Sequence, residues 1–265
     1  MSIKDIRNRM KSIKNIEQIT KAMGLVSATK LQKMRTEFES SRQFFLELDK
    51  IAENIPSDNY TEPKEKNCII LISSNRGLCG SYNINVSKLA IDLYNKKNSS
   101  ALIVVGNGGS EVVSRNNIYI DKFFSQVNNI DCTFSKTIAD VAIDYYKNGY
   151  EIYLAYTKFF TAMKFEPEYK KILPLQKSNS NFIFEPDADY VMQHFILNYI
   201  SFTILNVLLE SGVCEESARM MSMNSATENA QQIISDLMLK YNRLRQNQIT
   251  QELTEIISGA EALKN

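Results

Sequence analysis

The segment at residues 215–265 reads EESARMMSMNSATENAQQIISDLMLKYNRLRQNQITQELTEIISGAEALKN and contains no proline and a single glycine, Gly259. Its apolar residues recur at steps of three and four, with one step of five between Leu244 and Ile249. This spacing indicates an amphipathic helix with a narrow apolar seam, like one strand of a coiled coil. At 1.5 Å per residue the helix is roughly 75 Å long, so its seam needs a long partner. The expected seam positions are Met223, Ala226, Ala230, Ile233, Leu237, Tyr241, Leu244, Ile249, Leu253, Ile256, Ala260 and Leu263.

The N-terminal segment has the pattern of that partner. Its apolar residues keep three-four spacing as far as Ile55, except for a change of phase between Ile13 and Ile16 and a step of five between Val26 and Leu31, and Pro56 ends the helix. We expect the two terminal helices to pair antiparallel, with an irregular supercoil where the phase changes. The expected seam positions are Ile3, Ile6, Met10, Ile13, Ile16, Ile19, Met23, Val26, Leu31, Met34, Phe38, Ser41, Phe45, Leu48, Ala52 and Ile55.

Between these helical segments, short apolar runs alternate with helical patterns. Residues 68–74 and 101–105 are continuous apolar runs bounded by turn-forming residues, which is typical of buried parallel strands. Further strands are expected near 119–124, over 151–159 and over 170–176. Strands that alternate with helices predict βαβ units and a small, mainly parallel sheet that is covered on both faces.

These patterns predict an α/β protein in which a long antiparallel coiled coil of the N- and C-terminal helices carries an inserted Rossmann-like α/β domain. The expected boundaries are 1–56 for the first coiled-coil helix, 67–177 for the α/β domain and 187–265 for the second coiled-coil helix. With 265 residues, of which 44% are hydrophobic, the chain can form a core of this kind.

Charge is balanced over the chain but not over its first helix. The formal net charge is +1, whereas residues 1–35 contain nine Lys/Arg and two acidic residues. Such a basic helix is most often a solvated face; the other interpretations are a site for an acidic protein surface, for phosphates or for anionic lipid. Four scattered cysteines without metal-ligand spacing, and no signal peptide or transmembrane run, predict a cytosolic protein with reduced thiols.

Two features invite an enzymatic interpretation. The run GNGG at 106–109 follows a strand, but Glu111 stands where a G-x-G-x-x-G dinucleotide turn needs glycine. Cys79 lies in a strand-to-helix turn, a position that favours thiolate, but no histidine is available to serve it, and a tight turn that needs two glycines is the simpler interpretation. The single histidine, His194, lies in an apolar helical stretch, where a structural role is the simpler interpretation. We therefore expect no catalytic residue, no cofactor, no metal site and no binding of ATP or NAD.

Four blocks of the sequence, in an order and spacing that cover the whole chain, resemble the gamma subunit of F-type ATP synthase. They are IEQITKAM at 16–23 with VSATKL at 26–31, NRGLCGSYN at 75–83, SARM at 217–220, and the strongest, YNR at 241–243 with RQ at 245–246, ITQELTEI at 249–256 and SGA at 258–260. Asn75 stands where the family usually has aspartate.

This resemblance implies a rotor shaft that turns inside a hexamer of alternating catalytic and non-catalytic subunits and is not itself an enzyme. The implied partners are the alpha- and beta-type subunits of the hexamer, the epsilon-type subunit and the membrane c-ring, with no nucleic acid and no small-molecule substrate. The implied location is peripheral, on the cytoplasmic face of a bacterial inner membrane.

The resemblance also assigns contacts to individual residues. Met23, Arg219, Gln246 and Thr250 are expected to contact loops of the catalytic subunits. If Met23 lies beside Arg219, paired residue numbers add to about 242, and everything after about Gln246 extends beyond the first helix. We expect this unpaired tip to turn in an apolar sleeve of the hexamer. The expected tip residues are Ile249, Leu253, Ile256, Ala260 and Leu263, and those expected near the ring are Phe182 and Glu185.

Two other classes of function stay open at this point. One is a free coiled-coil scaffold or nucleic-acid-binding arm, suggested by the basic residues of 1–35, and salt-sensitive binding of nucleic acid would favour it. The other is a Rossmann-like enzyme that uses Cys79 or the turn at Gly106, and saturable nucleotide binding would favour it.

Overall fold

The computed structural model describes residues 2–54, 60, 62–96, 100–125, 130–175, 185 and 187–262. The first element is helix α1, Ile3–Asn54. A reciprocal cap begins it: the Ser2 amide donates to Asp5 Oδ2 at 2.9 Å, and the Asp5 amide donates to Ser2 Oγ at 3.2 Å. This arrangement satisfies two amides that have no partner inside the helix.

The buried seam of α1 differs from the predicted one. Ile16, Ile19 and Val26 were expected in the seam, but they are exposed by 47%, 59% and 57%. An unbroken three-four repeat runs instead through buried and half-buried positions, so the predicted change of phase is wrong. The repeat consists of Ile3, Ile6, Met10, Ile13, Glu17, Thr20, Gly24, Ser27, Leu31, Met34, Phe38, Ser41, Phe45, Leu48 and Ala52.

The last element is helix α5, Ala188–Ala262. Contacts divide the chain into two compact units, Met1–Val26 with Met220–Asn265, and Ser27–Arg219. In the first unit, α5 also keeps a three-four repeat, but Ile233, expected in its seam, is 40% exposed, and the half-buried Ile234 takes that place. The α5 seam of this unit is Met223, Thr227, Ala230, Ile234, Leu237, Tyr241 and Leu244.

Polar pairs set the register of the two helices in the first unit. The Thr20 and Thr227 hydroxyl oxygens are 2.8 Å apart, and Gln231 Nε2 donates to Glu17 Oε1 at 3.0 Å. The helices approach closely at Gly24, where a Cβ would lie 3.0 Å from Asn224 Oδ1. Both helices thus contribute polar residues to their contact, which explains why apolar residues alone gave the wrong phase.

These pairs correct the predicted register. Paired residue numbers add to 247 for the two threonines and to 248 for Glu17 with Gln231, not to about 242. A shift of five or six residues corresponds to roughly 8 Å along a helix. Ile3 is therefore level with about Leu244, and α1 still ends before Gln246 is reached.

The register gives a crosslinking prediction. In a chain whose exposed Cys132 is replaced by serine, Thr20→Cys with Thr227→Cys is expected to form a disulfide on mild oxidation, because the two hydroxyls already touch. Thr20→Cys with Ser222→Cys, the pair that a sum of 242 would bring together, is the matched control. Non-reducing electrophoresis with peptide mapping should show the bond in the first pair and not in the second; the reverse result would refute the register.

The second unit contains a five-stranded sheet, whose strands are β1 (Lys66–Ile72), β2 (Ser100–Val105), β3 (Lys122–Phe124), β4 (Tyr150–Thr161) and β5 (Lys164–Leu173). Their order across the sheet is β3-β2-β1-β4-β5. β1, β2, β3 and β4 are mutually parallel, as expected, whereas β5 pairs antiparallel with β4 through a tight hairpin and makes the sheet mixed.

Both faces of this sheet are covered, as its apolar strands require. Ile69 and Leu71 of β1 pack with helices α2 (Tyr82–Lys96) and α3 (Asn107–Arg115). Cys68 and Ile70, which point to the opposite face, pack with helix α4 (Cys132–Lys147) and with α5. The prediction of a mainly parallel sheet that is covered on both faces is confirmed.

The first third of α5 is rich in apolar residues because it is buried on several sides. Ile196, Ile200, Ile204 and Leu208 join the core on the α4 side of the sheet. By length and composition α5 could cross a membrane, but 72% of the apolar window is buried inside the chain, as in a core helix. In this unit α5 also pairs with α1, where the Phe44 and Phe202 rings meet edge to face at 5.4 Å.

Candidate interaction surfaces

The end of α5 is a helix without a covering partner among the described residues. Every described side chain from Arg245 to Gly259 is exposed. Ile249, Leu253 and Ile256 are exposed by 45%, 54% and 68%, and Ile257 by 61%. The prediction that residues 250–265 make few contacts within the chain is confirmed for 250–259. The Ala260 side chain and Leu263 lie outside the described part of the chain.

Gln246 and Thr250 lie on this exposed helix, one turn apart. The Thr250 hydroxyl donates to the Gln246 carbonyl at 2.9 Å, so the two positions share one face of the helix. Both side chains are exposed. They are accessible to a partner, as their proposed role requires.

The first unit has a second exposed apolar surface, on α1. Ile16, Ile19 and Val26, which the seam does not use, stand at three-four spacing with half-buried Met23. The nine basic residues of 1–35, six of which belong to this unit, are all exposed. This combination of apolar and cationic side chains fits a partner surface that offers both apolar contact and carboxylates.

Arg219 lies in the second unit and is buried, with 6% exposure. Its Nη2 pairs with Glu215 at 2.5 Å and its Nη1 pairs with Glu216 at 2.7 Å. Its Nε donates to the Gly77 carbonyl at 3.3 Å, and its Nη2 also donates to the Arg76 carbonyl at 3.2 Å. The guanidinium is thus already engaged within the chain. Its expected contact with a catalytic subunit stays a prediction.

Sequence reasoning missed this cluster, although a signal was present. Glu215 and Glu216 precede Arg219 by four and three residues, which places both carboxylates on its side of the helix. What the sequence could not give is the approach of the loop at 75–80, whose carbonyls complete the set of acceptors. Of the residues expected near the ring, Phe182 lies outside the described residues and Glu185 is exposed.

The crevice at the carboxyl ends of the parallel strands, where α/β proteins often bind nucleotides, is filled by the chain itself. The Gly108 amide donates to the Ser74 carbonyl at 2.9 Å, and the Gly109 amide donates to Ser73 Oγ at 2.9 Å. A Cβ on Gly108 would overlap the Asn83 amide. The glycines at this turn therefore serve close packing onto the end of β1.

The surroundings of Cys79 and His194 fit structural roles. Cys79 is 2% exposed, Asn83 Nδ2 donates to its sulfur at 3.3 Å, and burial raises the pKa of its thiol. A thiol that is buried and protonated is a poor nucleophile. The exposed His194 ring lies 4.6 Å from the Tyr190 ring. Among the described residues, no group of three or more His, Cys, Asp or Glu side chains could hold a metal ion.

Comparison with known proteins matches the whole chain to one family. The family model described as ATP synthase matches residues 2–263. An ATP synthase gamma chain of Clostridium perfringens is 37% identical over 98% of this chain and 98% of its own length, and one of Lachnoclostridium phytofermentans is 38% identical over 99% of each. The chain belongs to the ATP synthase gamma chain family.

Solved structures agree with this assignment. The central stalk of the mitochondrial ATP synthase of Tetrahymena thermophila is 25% identical, with a TM-score of 0.64, over 78% of this chain and 99% of that one. The rotor of the Euglena gracilis enzyme shares the fold at 15% identity, with a TM-score of 0.74 over 93% and 98%. Family membership confirms the resemblance, and it gives no support to a free scaffold or nucleic-acid-binding arm.

Proposed function

We propose that this chain is the rotor of an F-type ATP synthase and transmits torque between the membrane ion-translocating ring and the catalytic hexamer. It is a subunit of a membrane-bound complex, whose other partners are the alpha- and beta-type subunits, the epsilon-type subunit and the c-ring. It lies on the cytoplasmic face of a bacterial membrane and performs no bond chemistry itself. The observation that carries the proposal is the exposed apolar end of α5 in a chain of this family.

The exposure of this tip has an energetic cost in the isolated chain. Leaving a large aliphatic side chain in water rather than burying it forgoes about 1.5–3 kcal/mol. Three isoleucines and a leucine share the last turns of described helix, with no α1 residue level with them. An apolar sleeve formed by the top of the hexamer would cover them and, because aliphatic contacts lack direction, would let them turn.

The other contacts are those that the family resemblance assigns. Gln246 and Thr250 contact a loop of one catalytic subunit, and Met23, with the basic face of α1, contacts acidic loops. Phe182 and Glu185 contact the ring. Rotation brings these asymmetric surfaces to each catalytic subunit in turn, and differential contact shifts that subunit among its nucleotide-site conformations.

Coupled transport in vesicles tests the function. The complex is reconstituted with and without this chain, and ATP hydrolysis and ATP-driven ion uptake are measured together. We expect uptake only when the chain is present. The oxidised chain with Thr20→Cys and Thr227→Cys is a matched control: its crosslink joins the two helices to each other and should still support uptake, because they turn together. Equal uptake with and without the chain would refute the proposal.

A further inference from the structure

The Arg219 cluster is a costly arrangement that stability alone does not explain. Arg219 and Glu216 are buried and Glu215 is half-buried, and burial raises the pKa of Glu215 although Arg219 opposes that shift. The second Glu216 oxygen, Oε2, is buried without a hydrogen-bond partner. Buried ion pairs of this kind are often no more stabilising than apolar side chains of the same volume. The cluster must therefore be understood by what it holds in place.

What it holds is the loop at 75–80, which leaves the end of β1. Arg219 binds two consecutive carbonyls of this loop, those of Arg76 and Gly77. The next residue, Leu78, has φ of 66° and a side chain that is 58% exposed. A left-handed conformation is unfavourable for a leucine and persists only where the surroundings fix it. Arg219 and the buried Cys79 fix this loop on either side of Leu78.

Arg219 lies at the end of the stretch of α5 that is attached to the α/β domain. Along α5, attachment to the α/β domain begins in the apolar core around Ile196, continues where the Tyr82 hydroxyl donates to the Ser211 carbonyl at 3.2 Å, and reaches Arg219. Arg219 is also the last residue of the second unit. Within this unit, it is therefore the last α5 residue that binds the α/β domain.

We propose that Arg219 is a positioning residue for torque transfer, which acts by fastening the loop at 75–80 to α5 and not by touching a catalytic subunit. The proposal rests on the rotor function proposed above. A rotating α/β domain can drive α5 only through contacts that do not yield under load. A forked guanidinium that holds two backbone carbonyls and two carboxylates is such a contact, and lysine cannot reproduce its geometry.

The test uses the complete complex in vesicles and measures ions transported per ATP hydrolysed. Arg219→Lys keeps the charge but loses the fork, and we expect hydrolysis to continue while the transport ratio falls at least threefold. Arg115→Lys, the same change at an exposed position of α3, is the matched control and should keep the wild-type ratio. A wild-type ratio in the Arg219→Lys complex would overturn the proposal.

A second series loosens the loop without touching the buried charges, in case Arg219→Lys prevents assembly. Leu78→Gly removes the side chain and also frees the backbone, because glycine adopts many φ values. Leu78→Ala removes most of the side chain but keeps the backbone restricted. We expect the transport ratio to fall further in Leu78→Gly than in Leu78→Ala. Asn117→Gly relaxes the other described non-glycine residue with positive φ and should have no effect.

The outcomes separate the proposals. Equal transport ratios in Leu78→Gly and Leu78→Ala would overturn the role of a rigid loop. A lower ratio in Arg219→Lys together with a wild-type ratio in Leu78→Gly would also overturn it. That second result is the one expected if Arg219 touches a catalytic subunit directly. A wild-type complex that hydrolyses ATP without transport would instead refute the rotor function, and this proposal with it.

Discussion

Replacing Gly106 with alanine is expected to destabilise the chain by about 3 kcal/mol or more, because two independent penalties coincide at this position. Gly106 has φ of 94°, a conformation that alanine rarely adopts. Its added Cβ would also overlap the Ser73 carbonyl oxygen and lie 2.8 Å from that of Ser74. Both atoms belong to the backbone at the end of β1, so neither can move without disturbing the sheet.

Gly149→Ala is the matched control for this change. Gly149 has φ of 87° but open space around its Cβ direction, so it carries the conformational penalty without the clash. We expect about 1 kcal/mol of destabilisation there. Urea unfolding of both variants gives the difference in the free energy of unfolding. Equal losses at the two positions would contradict the role assigned to the turn at 106–109.

The same turn shows why local motifs gave an ambiguous signal. Glycines after a parallel strand occur both in phosphate-binding turns and in turns where two segments of backbone touch. The Gly106 amide donates to the Phe124 carbonyl at 2.9 Å, and Ser73 Oγ donates to the Val105 carbonyl at 2.8 Å. These bonds join three strand ends, and no sequence spacing within 106–111 predicts them.

The long helices and the parallel strands could be predicted because each depends on a period that the sequence repeats many times. The phase of α1 could not, since Thr20 and Gly24 enter the seam only because α5 offers Thr227 and Asn224 at the same level. An apolar residue such as Ile19 was therefore assigned to the seam, although it faces outward. Its exposure is informative: apolar residues that the fold leaves outside are available for a partner.

Of the candidate surfaces, too, one could be predicted from the sequence and another could not. The uncovered tip could be predicted by comparing the lengths of the two helices, and an error of about five residues in register did not change the conclusion. The surroundings of Arg219 could not be predicted, because two of its acceptors are backbone carbonyls of a loop about 140 residues earlier in the chain. Side-chain chemistry can be seen in a sequence, whereas the carbonyls that a loop presents depend on its folded path.

Substitutions at the tip of α5 are expected to affect the assembled complex much more than the stability of the isolated chain. Substituting Ile249, Leu253 and Ile256 together with aspartate should change the stability of the isolated chain little, because all three are exposed and make few contacts within it. In the assembled complex the same substitutions place three charges where the proposed sleeve is apolar. Each lost aliphatic contact corresponds to about 1.5–3 kcal/mol, or more than tenfold in affinity. We therefore expect the assembled, coupled complex to be reduced at least a hundredfold.

The matched control adds the same charges to the opposite face. Asn247→Asp, Gln251→Asp and Thr254→Asp alter three exposed polar positions in the same turns, about half a turn around the helix from the apolar stripe. Urea unfolding of the isolated chains and coupled ion uptake by reconstituted complexes should be measured for both triple variants. If both triple variants lose uptake equally, the apolar face of the tip has no special role, and the proposed apolar sleeve is wrong. If both retain it, the tip turns free of the hexamer, and torque must pass entirely through the surfaces nearer Met23.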